Sequence, residues 1–245
     1  MNKQPRVIVF DLETSLIQYA GFSLYQDSIP ISNIIEDWHI ICVGWKVLGE
    51  KKTHLISVLQ DPKRFKKDFN DDFYVVSELR KILAGADVLI AHNGLKFDIK
   101  KFNARLIYHG LEPLPPIKFI DTLKEVKKIA SITSNKLDYL GTFLNVGNKI
   151  HTEQGLWMKV LRGDKKAIRD MGTYCKQDVV LLESVYLKLK PYIKNNPAEI
   201  FSQRPECPYC KMNTLYKRAT RITVGGEKPI QYQCKTCGKY ITKYD

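Results

Sequence analysis

The sequence predicts an α/β layer fold followed by a small, metal-held C-terminal unit. Three observations carry this. Short β-branched apolar runs open the chain, beginning with Arg6-Val-Ile-Val-Phe10, the pattern of a strand covered on both faces. Such runs then alternate with helical segments, as in a layered α/β or α+β arrangement. Two Cys-x2-Cys pairs stand close to the C-terminal end.

After the first run comes a polar, turn-rich stretch, residues 18–38. Strands are predicted over Ile40–Leu48 and Thr53–Leu59, joined by the turn Gly-Glu-Lys-Lys. A helix over Val75–Ala84 ends at Gly85, a residue suited to a C-terminal cap. "DVLIAHN" reads as a short strand, "FDIKKFNARLIYHG" as a helix and "IKFIDT" as another strand. Short helices are expected between Leu123 and Leu161. One long helix is expected over Lys165–Tyr192, where Ile168, Met171, Cys175, Leu182, Val185 and Leu189 recur near the 3.6-residue period. "NNPAEIFSQRP" reads as a linker because Pro197 and Pro205 interrupt regular structure. The expected organisation is therefore residues 1–195, a linker over 196–205, and a separate unit over 206–245.

The formal charge is +13, from 39 Lys/Arg against 26 Asp/Glu. Residues 201–245 hold nine Lys/Arg and three Asp/Glu, so +6 of that charge falls on the tail. Such a balance favours a polyanionic partner, nucleic acid first among them. The apolar runs are about strand length, which excludes a membrane-spanning helix. The N-terminus has no apolar segment ending in a small-residue cleavage site, which argues against export and for the cytoplasm. Without export, paired cysteines point to metal and not to disulfides.

Carboxylates in apolar surroundings form the second theme. Asp11 and Glu13 close the first buried run, Asp98 opens a helix, and Asp178 falls on the apolar face of the long helix, four residues from Tyr174. A buried carboxylate needs a cation or strong hydrogen bonds. Glu183 and Lys188 of the same helix read as ordinary solvated positions. Carboxylates without histidine suit hard cations, Mg²⁺ or Mn²⁺, and a pair of such ions suits phosphodiester hydrolysis. Cys42 and Cys175 read as small core residues. His39, His54, His109 and His151 read as structural or surface residues, and His92 as a packing or hydrogen-bonding one.

"FDLET", "HNGLKFD" and "YCKQD", in that order over residues 5–193, resemble the three motifs of the DnaQ-like DEDD 3′–5′ exonucleases. Tyr174, four residues before Asp178, resembles the tyrosine subclass. The segment "LWMKVLRGDKKAIRDMGTYCKQDVVLLESVYLKLKPYI" with the paired cysteines is also similar to exonuclease-like proteins of bacteriophages. The resemblance implies a ribonuclease-H-like central mixed sheet flanked by helices. It implies metal ligation by Asp11, Glu13, Asp98 and Asp178, with two Mg²⁺ or Mn²⁺, and a water-orienting Tyr174. Leu12 and Thr14 would touch the terminal nucleotide, and Asn93 and Phe97 would grip the 3′ end. The implied substrate is a strand with a free 3′ end, single-stranded DNA first and RNA second, in replication, repair or proofreading, with a DNA polymerase or replisome as candidate protein partner. A different class, a non-catalytic nucleic-acid-binding or polymerase-accessory module, is opposed by the intact set of five residues. The first motif departs from the family's usual continuation, since Ser15 and Leu16 follow Thr14, and the loop Gly21–Asp37 is long.

Cys207, Cys210, Cys234 and Cys237 offer four thiolates for one tetrahedral Zn²⁺, with 23 residues between the pairs. The intervening sequence alternates like two strands turning at Gly225-Gly226, the pattern of a zinc ribbon. So small a unit needs the metal for stability. Lys217, Arg218 and Arg221, with Lys239, Lys243, Tyr216, Tyr232 and Tyr240, are candidates to contact nucleic acid.

Overall fold

A computed structural model describes residues 5–23, 27–149, 155–194, 196–198, 207–212, 214–220 and 229–243. The chain folds as two compact units, one over Arg6–Ile193 and another that takes in the chain from Lys194 onward.

The larger unit is a mixed α/β layer. Strand β1 (Val7–Thr14) leads to two short strands, β2 (Gln18–Tyr19) and β3 (Ile34–Glu36), which pair with each other. Next come β4 (Ile40–Val47), β5 (His54–Ser57) and a capped 3-10 turn over Val58–Gln60. Helices α1 (Pro62–Lys67) and α2 (Phe73–Ala84) follow, then β6 (Val88–Ala91), α3 (Asp98–Tyr108) and β7 (Lys118–Asp121). Four helices complete the unit: α4 (Thr122–Ile129), α5 (Leu137–Phe143), α6 (Leu156–Val160) and α7 (Lys165–Leu189). The sheet order is β5-β4-β1-β6-β7, antiparallel from β5 to β1 and parallel from β1 to β7. No helix among the described residues is long and apolar enough to cross a membrane.

The β1 run is longer than its apolar residues suggest. It continues through Asp11, Glu13 and Thr14, because backbone pairing to β4 is indifferent to the acids, and it ends at a bulge between Glu13 and Thr14. Ile8, Phe10 and Leu12 enter the main core with Ile41, Val43, Leu79 and Phe102. The second strand of the predicted hairpin is shorter than expected, since Ser57 caps the 3-10 turn and halts pairing.

Glu183 corrects the reading of the long helix. It is buried, not solvated, and pairs with Lys46 of β4 while accepting the Gly49 amide at 2.8 Å. Lys188 is exposed, as expected. Cys42 and Cys175 are fully buried.

The second unit contains β8 (Leu215–Thr220), β9 (Ile230–Cys234) and β10 (Tyr240–Lys243), an antiparallel sheet ordered β10-β9-β8. β10 adds a strand to the two expected. The expected Gly225-Gly226 turn, Arg221, His151 and most of the 196–205 linker lie outside the described residues.

Candidate active site and cysteine cluster

With two-residue periodicity, Asp11 and Glu13 share one face of β1, opposite Phe10 and Leu12. Their partners on β4 are Gly44 and Cys42. Helix α7 packs against both strands. A Cβ at Gly44 would lie 2.8 Å from the Cys175 carbonyl oxygen and 3.0 Å from Val179 Cγ2, so glycine is what allows the helix this close. The Cys175 thiol stitches the contact: its Sγ accepts the Gly44 amide at 3.0 Å and donates to the Asp11 carbonyl at 3.3 Å. One turn on, the same helix delivers Asp178, 1% exposed, beside Tyr174.

Asp98 arrives from the other direction. It is the first residue of α3, 2% exposed, and accepts the Leu12 amide at 3.2 Å. The loop before it turns at Asn93 with φ of 62°, a left-handed conformation that asparagine tolerates better than most residues. Asp121 holds that turn by accepting the amides of Asn93 at 2.9 Å and Leu95 at 3.3 Å, and it also caps α4 through Leu123. His92 bonds Thr122 Oγ1 and the Asn135 carbonyl, both at 2.9 Å, the hydrogen-bonding role expected of it.

The structure therefore gathers Asp11, Glu13, Asp98, Tyr174 and Asp178 around one end of β1. Carboxylate oxygens of Asp11 and Glu13 lie with Cys175 Sγ within 4.8 Å of one another. Burial is the largest cause pushing these acids up, followed by their mutual repulsion. Asp11 is raised well above its ordinary value by burial and by Asp98, Glu13 and Asp178. Glu13 rises to about 7 through burial and Asp178. Asp98 also rises to about 7 through burial, partly offset by backbone amides. Such a cluster is short of positive charge.

Lys149 partly supplies it, a residue the sequence reading passed over. Its ammonium bonds Asp178 Oδ2 and reaches Tyr174 Oη at 3.1 Å. Those contacts raise its pKa against the effect of burial. Asp178 Oδ1 remains buried without a hydrogen-bond partner among the described residues. A buried carboxylate oxygen without a donor is costly. An orphaned oxygen, converging acids and a lysine drawn among them fit a set of oxygen ligands for a hard divalent cation.

Of the residues expected at the substrate, Thr14 and Asn93 are half-buried and Phe97 is 41% exposed. Leu12 is 3% exposed in the core, so its side chain faces away from the acids and only its amide serves the site, through Asp98. An open cleft of about 740 Å³ adjoins the cluster, lined in part by His92, Asn93, Asn135, Lys136, Asp138 and Lys149.

In the second unit, the sulfurs of Cys207, Cys210, Cys234 and Cys237 lie within 4.8 Å of one another. Cys207 and Cys237 approach at 3.8 Å, Cys210 and Cys234 at 3.5 Å. Burial would raise the Cys234 thiol, but hydrogen bonds from Thr214 and the Cys237 amide outweigh it and bring it down to about 6. The buried apolar cluster here holds only Cys207, Leu215 and Cys234, with partly buried Cys210, Tyr232 and Ile241 against it. This donor set fits a tetrahedral thiolate metal. Arg218 bonds Gln233 at 2.8 Å and lies 4.9 Å from the Tyr216 ring centroid, and Lys217 lies on the same strand.

The family model RNase_H_2, of the RNase_H superfamily, matches residues 36–190. The chain belongs to the RNase H superfamily. The matched span includes Asp98, Tyr174 and Asp178 and begins after Asp11 and Glu13. No curated protein matches the chain significantly by sequence. Among solved structures, the chain is similar to the family B DNA polymerase from the hyperthermophilic archaeon Pyrobaculum calidifontis, with a TM-score of 0.57 at 14% identity over 81% of this chain. That likeness shows the fold, and the chain spans only 27% of the polymerase's length. Membership of the RNase H superfamily supports nucleic-acid cleavage by a metal-dependent hydrolase in general terms.

Proposed function

We propose that this RNase H superfamily member is a tyrosine-type DEDD 3′–5′ exonuclease acting on single-stranded DNA, with a zinc ribbon as its second unit. The observation that carries this reading is the convergence of Asp11, Glu13, Asp98 and Asp178, with Asp178 Oδ1 left without a donor. Four carboxylates packed together in a core oppose folding unless the function needs them.

Asp11, Glu13, Asp98 and Asp178 would hold Mg²⁺ or Mn²⁺, which when bound activates the attacking water and stabilises the charge on the leaving 3′ oxygen. The protein's own groups do the rest. Burial and nearby Asp178 lift the Tyr174 hydroxyl to about 12, so it stays protonated at neutral pH and orients a water molecule instead of taking its proton. Lys149 keeps Asp178 charged and fixes Tyr174 against it. Asn93, on its left-handed turn, and Phe97 stand at the mouth of the cleft, and Thr14 sits at the end of the acidic strand. Asp121 sets the turn that carries Asn93 and leads into Asp98.

In the second unit, Cys207, Cys210, Cys234 and Cys237 would hold one Zn²⁺, and Lys217, Arg218 and Arg221 would meet phosphates. A polymerase partner is part of the same proposal.

The test uses 5′-labelled single-stranded DNA and RNA with Mg²⁺, Mn²⁺ or EDTA. The expected result is a ladder shortened from the 3′ end, faster on DNA and abolished by EDTA. Cleavage of a circular single strand would refute exonuclease action. Tight binding without cleavage in either metal would refute the enzyme reading itself.

A further inference from the structure

A line of rings and cations runs along α3 away from the candidate site, and the chemistry proposed there makes no use of it. Phe97 directly precedes Asp98. Four residues on, the Lys101 ammonium lies 3.5 Å from the Trp38 ring centroid and 5.8 Å from that of Phe97, and so stands between two aromatic faces. Another turn on, the Arg105 guanidinium lies 5.9 Å from the Trp38 centroid and 4.1 Å from that of Tyr108. Positions 97, 101, 105 and 108 share one helical face.

Trp38 reaches this line from the sheet. It precedes His39, whose carbonyl accepts the Ser15 amide, one residue beyond Thr14. The line therefore starts at the acidic end of β1 and is continuous with the candidate site. Phe97 is 41% exposed and Tyr108 72% exposed, and Lys96, just before the helix, and Lys100, on it, are exposed as well. Arg105 is committed to buried Asp72 through two bonds of 2.7 Å, so its part is to hold Tyr108 in place.

We infer that this face is a track for the single-stranded segment leading into the site, with bases stacking on Phe97 and Tyr108 and phosphates meeting Lys101, Lys96 and Lys100. Trp38 is a positioning residue that fixes the Lys101 ammonium. The inference rests on the nuclease reading for its direction, because the segment is the one that precedes the cleaved end. Exposed rings interleaved with lysines suit single strands, whose bases are free to stack. The track has an end. Beyond Tyr108 lies a cavity of about 360 Å³ where Glu36, Asp37, Asp68 and Asp71 stand beside Arg64 and His109, a surface that no longer favours phosphate. At 1.5 Å of rise per residue, Phe97 to Tyr108 spans roughly 16 Å, enough for a few nucleotides.

The test measures binding of a thymidylate length series, dinucleotide to decanucleotide, by full-length protein carrying Asp11→Ala so that no strand is cut. Lys101→Ala, Tyr108→Ser and Trp38→Ala should each weaken the longer strands about tenfold and the dinucleotide by less than about twofold. Lys101→Ala should also flatten the salt dependence by about 0.7 in log–log slope. Trp38→Phe should restore most of the Trp38→Ala loss, since it keeps a ring beneath the ammonium. Tyr108→Ser, at a mostly exposed position, controls for misfolding, and melting temperature is read for all variants. Losses that are equal at every length, or absent at every length, would overturn the track. Metal-dependent cleavage by the parent protein is scored separately. No cleavage with the length-dependent losses intact refutes the nuclease reading alone, and cleavage without those losses refutes the track alone.

Discussion

The carboxylate cluster and the cysteine cluster are both gatherings of groups that repel one another when charged, yet their surroundings differ in kind. The carboxylates are set into a five-stranded sheet whose core, from Ile8 to Leu182, is built without them. The cysteines are themselves most of the core: two of the three buried apolar residues in their cluster are Cys207 and Cys234. A rigid frame can hold an unfavourable site in place and wait for a cation. A unit with almost no apolar interior cannot, so there the cation and the fold stand or fall together.

The largest effect expected from this contrast is metal removal. Stripping zinc with a strong chelator should unfold the unit from Lys194 onward, a loss of about 10–16 kcal/mol, and leave the Arg6–Ile193 unit folded. Amide spectra would show one set of signals collapsing and the other unmoved. Collapse of both sets, or of neither, would break the comparison.

Next in size, Asp11→Ala should lower cleavage roughly a thousandfold while leaving the metal-free melting temperature unchanged or raised, because a repelling charge is gone. A fall in metal-free stability would mean that Asp11 supports the fold. Glu183→Ala should do the opposite. It strands the buried Lys46 ammonium and should cost about 3 kcal/mol by chemical denaturation, with its effect on cleavage following stability alone.

The smallest effect is a pH dependence. Glu13 and Asp98 rise to about 7 from ordinary values of 4.5 and 3.8. Between those values the folded cluster binds more protons than the unfolded chain. Metal-free stability therefore falls as pH rises through that window. Added Mn²⁺ should raise the melting temperature more above pH 7 than below pH 4.5, since protons no longer compete for the oxygens. A pH-independent gain would show that the acids are not the ligands.

Much of this was legible in the residues, for identifiable reasons. Asp178 declared itself by interrupting the apolar period of α7, and Asp11 and Glu13 by closing a run too apolar to end in water. The cysteine spacing spoke for itself. Glu183 misled because its partner, Lys46, lies 137 residues away, and no local pattern distinguishes a paired buried acid from a solvated one. Lys149 sits in an aperiodic loop, where spacing carries no information. Asp121 looked like the end of a strand, and its grip on the Asn93 turn exists only in three dimensions. β10 went unread because its four residues are half-buried or exposed and lack an apolar core signal.

The alternation of β1 has one more consequence. Phe10, Asp11, Leu12 and Glu13 read core, site, core, site along a single strand. Inserting one residue just before Asp11 would exchange the two sets, sending both acids into the interior and the phenyl and isobutyl groups out under α7. Catalytic identity and structural identity are thus written in the same four letters as a parity, and the chain cannot lose one without losing the other.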